Sequence, residues 1–304
     1  MPSLKTIRKR ISTVKSTQKI TRAMKMVAGA RLNRAQQRIL ALRPYAVAAG
    51  EALGEVTSSS ERRLGAGVEA DHPLLARRDE KSTLYLVITS DRGLCGAFNS
   101  NILRRAEKLW HDGEREGKKI QIAVIGRKGR DFFRRRKAPV YHVFSGVWER
   151  LDLEQARKIS HKVLQPFVAA EIDAIYIVYN EFKSAMSQRV VAEPLFPVKP
   201  VEPAAGTPHD QQPEPGAERE FLFEPGKGAL LERLVPMYVE ISILRALLES
   251  MASELGARMT AMDAATKNAS EMIDKLTLMY NRARQASITK ELMEIIGGAE
   301  ALND

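Results

Sequence analysis

Apolar residues recur every seven positions through the C-terminal third of the chain, and a second row follows three positions later. Paired rows of this kind are typical of a coiled-coil helix, whose contact face repeats every 3.5 residues. The pattern continues for about eight heptads, beyond the three or four that indicate a coiled coil. The first row is Leu234, Ile241, Leu248, Leu255, Met262, Ala269, Leu276 and Ala283, and the second is Met237, Leu244, Met251, Arg258, Ala265, Met272, Met279 and Ala286.

The N-terminal segment carries two similar rows, which are apolar at the ends and small or polar at the centre. They predict a helix from Leu4 to about Thr57, with Gln18 and Lys25 interrupting one row. Neither helix can bury its apolar stripe alone, so we expect the two chain ends to pair as an antiparallel coiled coil within one molecule. Small residues such as Ala28 would let the helix axes approach closely. A parallel homodimeric coiled coil is the structural alternative.

Between the two helical ends, short apolar and β-branched runs alternate with helical patterns. This alternation is typical of βαβ units and a mostly parallel sheet. The predicted fold class is therefore a small central Rossmann-like α/β domain plus a long α-helical antiparallel coiled coil formed by the N- and C-terminal helices. The predicted strands are Thr83–Ser90, Gln121–Gly126 and Asp173–Phe182, and the predicted helices are Asn99–Trp110, Lys128–Arg136 and Leu151–Glu171.

Changes in composition predict where one domain gives way to the next. Closely spaced prolines prevent regular structure, so we expect an irregular loop over residues 197–220 within the α/β domain. After it, Phe221–Pro225 is expected to form a final strand. The predicted division is an N-terminal coiled-coil helix at 1–58, a linker at 59–81, the α/β domain at 82–227 and a C-terminal coiled-coil helix at 228–304.

Positive charge is concentrated in the first helix. The formal net charge is +11, and residues 1–50 hold twelve Lys or Arg without any Asp or Glu. This segment is therefore expected to meet nucleic acid, anionic lipid or an acidic protein surface, unless it is simply a solvated basic face. It also resembles a transit peptide, but the helical pattern continues well past transit-peptide length. The single cysteine, Cys95, indicates a reducing compartment and hence cytoplasmic residence.

A glycine-containing turn, SDRGLCGAFNS, follows the first predicted strand and invites a phosphate-binding interpretation. It matches neither GxGxxG nor GxxxxGK[ST], so a tight βα turn is favoured. Cys95 in this turn is expected to be a small packed residue, because the five histidines are scattered singly and offer no obvious base. The sequence therefore predicts no catalytic, cofactor-binding or metal-binding residues.

Four segments, in chain order, carry a resemblance that spans the whole sequence. They are ITRAMKMVAGARL, SDRGLCGAFN, YNEFKSAMSQ and YNRARQASITKELMEIIGGAEAL. With them the chain resembles the gamma-subunit family of F-type ATP synthases. The resemblance implies a non-catalytic central-stalk rotor, one copy per three alpha–beta pairs, that transmits rotation of the membrane c ring to the catalytic ring. By the same resemblance, this rotor would couple ion translocation to ATP synthesis or hydrolysis.

The resemblance also implies which partners the chain has and where it resides. The α/β domain, or foot, would bind the epsilon subunit and the c ring. Membrane association would run through the c ring only, at the cytoplasmic face of a bacterial plasma membrane, and no cofactor or nucleic acid would be needed. The start at MPSLKTIRKRI, without a transit extension, favours the bacterial source.

Individual positions match the family's contact residues. Phe221 and Glu224 match positions near epsilon and the c ring. The beta-subunit contacts that the resemblance implies are Met24 and Lys25 at the acidic lever loops, and Arg284, Gln285, Thr289 and Glu291 at a catch loop. For Thr289 and Glu291, an ordinary exposed helix face is the alternative.

Two rival functions follow from the residues themselves. The basic first helix would suit a coiled-coil nucleic-acid-binding protein, which predicts strongly salt-dependent DNA binding. The α/β domain would suit a nucleotide-dependent enzyme, which predicts saturable ATP or dinucleotide binding.

Overall fold

The computed structural model describes residues 3–64, 78–197 and 226–300. They fall into two compact units. The coiled-coil unit contains the described residues up to Ala30 and from Arg258 onward, and the sheet unit contains those between Arg31 and Ala257. The helices are α1 (Leu4–Leu64), α2 (Phe98–Arg115), α3 (Arg127–Arg135), α4 (Leu153–Val168) and α5 (Lys227–Glu300); the strands are β1 (Ser82–Ile88), β2 (Lys119–Ile125), β3 (Val140–Phe144), β4 (Ala174–Phe182) and β5 (Gln188–Phe196).

The sheet unit is built on one five-stranded sheet in the order β3-β2-β1-β4-β5. β1 pairs in parallel with β2 and β4, and β2 pairs in parallel with β3. Only β5 runs antiparallel, against β4. β1 lies at the centre and is almost completely buried, as its run of Leu and Val predicts. The predicted mostly parallel α/β sheet is confirmed.

Helices cover both faces of this sheet. On one face, residues of β1, β4 and α4 form a core with the segments of α1 and α5 that belong to this unit. On the other face, α2 and α3 pack through Ile102, Trp110 and Phe133. The side chain of Asp152 accepts a hydrogen bond from the backbone N–H of Gln155 at 3.0 Å, which caps the start of α4.

Three strands and three helices of this unit were predicted close to their positions, and two strands were missed. β3 has no fully buried residue, so it gives no continuous apolar signal. β5 is an edge strand that contains Pro194 and charged residues, and proline within a run argues against a central strand. The strand predicted at Phe221–Pro225 lies outside the described residues. The predicted domain division stays a prediction.

In the coiled-coil unit, α1 pairs with α5 in antiparallel fashion. Gln18 contacts Ser270, Thr21 contacts Thr266 and Lys25 contacts Asp263, so residue numbers fall along one helix as they rise along the other. These contacts lie within one chain. They confirm the predicted antiparallel coiled coil.

One of the two predicted rows in α5 is wrong in its last three positions. Met272 and Met279 are 52% and 50% exposed, and Ala286 is exposed as well. Ile273 and Tyr280, one residue further along, are partly buried in their place. A straight α-helix drifts by about 20° per heptad against a strict seven-residue repeat, so the contact row moves over by one position. The other row is confirmed at Met262 and Ala269, which are buried.

Candidate functional site

Polar side chains fill the helix contact at the centre of the coiled-coil unit. The hydroxyls of Thr21 and Thr266 lie 2.7 Å apart, and Gln18 Nε2 donates to Ser270 Oγ at 2.7 Å. Thr21 is only 8% exposed, and its hydroxyl is also within hydrogen-bond distance of the Gln18 carbonyl oxygen. Polar pairs inside a coiled coil favour the one register in which both partners meet. This cluster therefore fixes how α1 and α5 align within the unit.

Lys25 lies at the edge of this cluster and already has a partner within the chain. Its ammonium group is 2.6 Å from Asp263 Oδ1, and Lys267 Nζ is 3.3 Å from Asp263 Oδ2. The hydrogen bond from Lys25, followed by that from Lys267, holds the pKa of Asp263 below its ordinary value. The group of three carries a net charge of one positive unit. Met24, next to it, is partly buried.

The predicted catch-loop residues lie on the exposed surface of α5. Within the described residues, the side chains of Arg284 and Gln285 have no hydrogen-bond or ion-pair partner, although the carbonyl oxygen of Gln285 accepts from the Thr289 hydroxyl at 3.0 Å. Glu291 Oε1 accepts from the Ser287 hydroxyl at 3.3 Å. Residues four or seven apart share one helix face, so Gln285 lies beside Thr289 and Arg284 beside Glu291. The guanidinium of Arg284 is available for a carboxylate from outside the chain.

The structure does not bring the two predicted contact groups together. At ~1.5 Å rise per residue, Asp263 and Arg284 lie about 30 Å apart along α5. They are separate surfaces, one beside the polar cluster and one near the end of the helix. Phe221 and Glu224, the predicted foot contacts, lie outside the described residues.

An exposed apolar surface near the end of α5 was not predicted from the sequence. Large apolar side chains there are 51% to 72% exposed, although the same helix buries its apolar face elsewhere. A contiguous exposed apolar surface usually marks a site for another protein. The signal was present in the sequence as apolar residues three and four apart, beyond the last heptad. This surface consists of Ile288, Leu292, Met293, Ile295 and Ile296.

Positive charge on α1 faces outward in the coiled-coil unit. Apart from Lys25, the cations between Leu4 and Ala30 are exposed. They are Lys5, Arg8, Lys9, Arg10, Lys15, Lys19 and Arg22.

The turn after β1 is filled by side chains of the chain itself. In parallel sheets, ligands often bind at the carboxyl ends of the strands. Here Asp91 Oδ1 accepts the backbone N–H of Arg127 at 2.8 Å, and Thr89 Oγ1 accepts that of Gly129 at 2.9 Å. A side chain at Gly126 would meet the Thr89 carbonyl oxygen at 2.2 Å, so the backbones are in close contact. These N–H groups, which could otherwise hold a phosphate, are already paired.

Cys95, in the same turn, is 2% exposed, and Asn99 Nδ2 lies 3.2 Å from its sulfur. It is packed as predicted. In the described parts of the chain, no cluster of three or more His, Cys, Asp or Glu residues has a geometry that could hold a metal ion. Within the same ranges, no helix has the length and apolar character needed to span a membrane.

Comparison with known proteins gives one consistent result. A family model described as ATP synthase matches residues 3–302. An ATP synthase gamma chain of Sorangium cellulosum is 59% identical over 328 aligned positions that cover 100% of both chains. One from Anaeromyxobacter sp. is 49% identical over 302 positions, covering 99% of this chain and 100% of that one. The chain belongs to the ATP synthase gamma chain family.

Solved structures agree with this assignment. A chain in the central stalk and c-ring structure of the Tetrahymena thermophila mitochondrial ATP synthase is 27% identical with a TM-score of 0.60, and the match covers 81% of this chain and 99% of that one. A chain of the Euglena gracilis mitochondrial ATP synthase, at 22% identity and a TM-score of 0.66, shares the fold over 98% of this chain and 94% of its own. The predicted family is confirmed, and nothing in these comparisons supports the nucleic-acid-binding alternative.

Proposed function

We propose that this chain is the central-stalk rotor of an ATP synthase, which passes rotation of a membrane c ring to a ring of alpha and beta subunits. The observation that carries the proposal is the pairing of both chain ends into one antiparallel coiled coil, in a chain that belongs to the gamma chain family. A single such element presents different side chains in each direction. It can therefore hold three identical neighbours in three different states.

The exposed cations of α1 form a basic surface that suits contacts with the beta subunits which form and break as the rotor turns. Charge attraction depends less on close shape complementarity than apolar packing does, and it acts at longer range. Acidic loops of the beta subunits could therefore pass from one cation to the next as the rotor turns. We infer that Lys25 and Met24 belong to this contact, with Asp263 as the resting partner of Lys25.

Arg284 and Gln285 provide the second beta contact in this proposal. A guanidinium offers a planar fork that matches a carboxylate in two parallel hydrogen bonds. Thr289 and Glu291 lie on the adjoining faces of the same helix and would complete the contact. The exposed apolar surface at Ile288–Ile296 would be covered by the alpha and beta subunits.

The remaining parts of the proposal concern the foot and the membrane. Phe221 and Glu224 would contact the epsilon subunit and the polar loops of the c ring. The chain would reach the membrane only through that ring, at the cytoplasmic face of a bacterial plasma membrane. ATP chemistry would take place on the beta subunits, and this chain would supply the motion.

Subunit stoichiometry tests the proposal directly. The chain, affinity-tagged at its N-terminus, is purified with its complex, and the intact mass is measured by native mass spectrometry. We expect one copy of this chain per three alpha and three beta subunits. Three copies per complex, or a complex without alpha and beta, would contradict a single central rotor.

A further inference from the structure

A cavity of about 560 Å³ opens in the sheet unit between α1, α5 and the end of β4. This volume is within the range of small-molecule sites, about 300–1,000 Å³. Leu42 and Ala46 from α1 and Ile241 and Leu248 from α5 form an apolar wall. Charged side chains from α1, α5 and the end of β4 also line it. The cavity thus offers an apolar surface and a charged surface to the same occupant.

Two of the three cations that line the cavity, Arg245 and Lys183, already have carboxylate partners. Arg245 Nη2 lies 2.6 Å from Glu193 Oε2, and the Tyr179 hydroxyl donates to Glu193 Oε1 at 3.0 Å. Lys183 Nζ lies 2.6 Å from Glu181 Oε1. Three further charged groups line the cavity, the carboxylates of Glu51 and Glu249 and the guanidinium of Arg43, and no ion-pair partner is found for them among the described residues.

Glu249 is short of a counter-charge. The backbone N–H of Phe182 hydrogen-bonds to its carboxylate, but Oε2 is buried without a hydrogen-bond partner among the described residues. Burial is the main cause that raises the pKa of Glu249, and the carboxylates of Glu181 and Glu193 raise it further, whereas Arg245 opposes the change. A buried carboxylate oxygen without a donor is costly, and a cation in the cavity would supply the counter-charge that Glu249 lacks.

We propose that this cavity binds a small organic cation with an apolar body, such as an arylalkyl- or alkylammonium. Its ammonium group would pair with the carboxylate of Glu249, and its apolar body would lie against Leu42, Ala46 and Leu248. An anion is disfavoured, because Arg245 and Lys183 are already paired and the unpaired charged groups of the lining, Arg43, Glu51 and Glu249, carry a net charge of one negative unit. The inference is independent of the rotor function, since it rests on the cavity and its charges alone.

Three probes of nearly the same shape separate the charge from the apolar contribution. They are 4-(trifluoromethyl)benzylammonium, the corresponding neutral benzyl alcohol and the benzoate, each titrated into the full chain and followed by ¹⁹F NMR. We expect saturable binding of the ammonium, at least tenfold tighter than the alcohol, and no binding of the benzoate. Equal affinity for all three would mean that charge plays no part in binding, and no binding would mean that only water occupies the cavity; either result would overturn the proposal.

Two variants and a control locate the site. Glu249→Gln removes the charge but keeps the size, and it should lower ammonium affinity at least tenfold, to the level of the alcohol. Ala46→Phe fills the cavity from α1 and should abolish binding of both the ammonium and the alcohol, which keeps the test valid if the first variant fails to fold. Glu232→Gln, an exposed acid on the same helix, should leave affinity unchanged. Retained ammonium binding in both cavity variants would place the ligand elsewhere.

Discussion

The same two helices, α1 and α5, are stabilised differently in the two units. In the coiled-coil unit they meet along a narrow contact that includes hydroxyl and amide pairs, and few side chains are fully buried. In the sheet unit, α5 packs Val235, Val239 and Leu247 into a core that also includes the β-sheet. Apolar burial provides most folding free energy, whereas polar pairs determine alignment. The sheet unit therefore provides most of the folding free energy. In the coiled-coil unit, polar pairs fix the alignment of α1 with α5, and the outer surface stays exposed.

The largest expected effect comes from the core of the sheet unit. Leu247 is 0% exposed, so Leu247→Ala should lower the free energy of unfolding of the full chain by about 2–5 kcal/mol. Leu278→Ala, at a site 54% exposed on the same helix, is the matched control and should change it by at most about 0.5 kcal/mol. Denaturant unfolding followed by circular dichroism measures both. Equal losses in the two variants would remove the distinction between the units.

Substitutions on the outer surface of the coiled-coil unit should lower activity and leave the stability of the chain unchanged. Replacing Arg284 and Gln285 together by Ala should reduce ATP turnover of the assembled complex by about tenfold, because hydrogen bonds to charged groups contribute ~1.5–3 kcal/mol. The melting temperature of the chain should not change, since both side chains are exposed. Glu271→Gln, an exposed change on the same helix, serves as the control. Normal turnover and torque in the double variant would exclude this contact.

A smaller effect is expected inside the polar cluster. Thr21→Val takes away the cross-helix partner of the Thr266 hydroxyl, which keeps its bond to the Met262 carbonyl oxygen, and should weaken the local pairing by about 1 kcal/mol. Changing both residues to Val should recover most of this loss, because no hydroxyl is then left without its cross-helix partner. Hydrogen exchange of the amides of residues 18–25 measures the local opening free energy. Additive losses in the double variant would show that the two hydroxyls do not interact.

The smallest expected effect is a change in the pKa of Asp263 and in the small contribution that this carboxylate makes to stability. Its pKa is lowered in the folded chain, so it adds stability at pH values above its ordinary pKa, and this contribution is lost as the pH falls through the folded value. Lys25→Gln removes the stronger of the two causes and should raise the pKa of Asp263 toward, but not to, its ordinary value. Carboxyl ¹³C NMR follows the titration. An unchanged pKa would mean that Lys267 alone sets it.

Periodicity predicted the pairing of the chain ends but not the details of their contact. Gln18 and Lys25 stood out as interruptions in an apolar row, yet their partners Ser270 and Asp263 lie about 240 to 250 residues away and carry no signal of their own. Met272 and Met279 were placed in the contact because a heptad count does not include the rotation of a real helix.

For the candidate surfaces too, the sequence identified some residues, whereas other contacts are visible only in the structure. Arg284 and Gln285 were predicted through the resemblance and are exposed, as a contact with another chain requires. Lys25 was predicted as an outward contact, and its pairing with Asp263 depends on three-dimensional structure. Glu249 reads in the sequence as one of many helix acids, and only the packing of β4 against α5 shows that one of its oxygens is buried.

Asp263 is shared by Lys25 and Lys267, and this arrangement gives Lys25 an exchangeable counter-ion. If an outside carboxylate drew the ammonium of Lys25 away, Asp263 would keep Lys267 at 3.3 Å as a counter-ion. The release of Lys25 would therefore cost less than it would if Lys25 were the sole counter-ion of Asp263. A lysine held in this manner can pair with a carboxylate of another subunit and return to Asp263 many times, while the contact between the two helices stays in place.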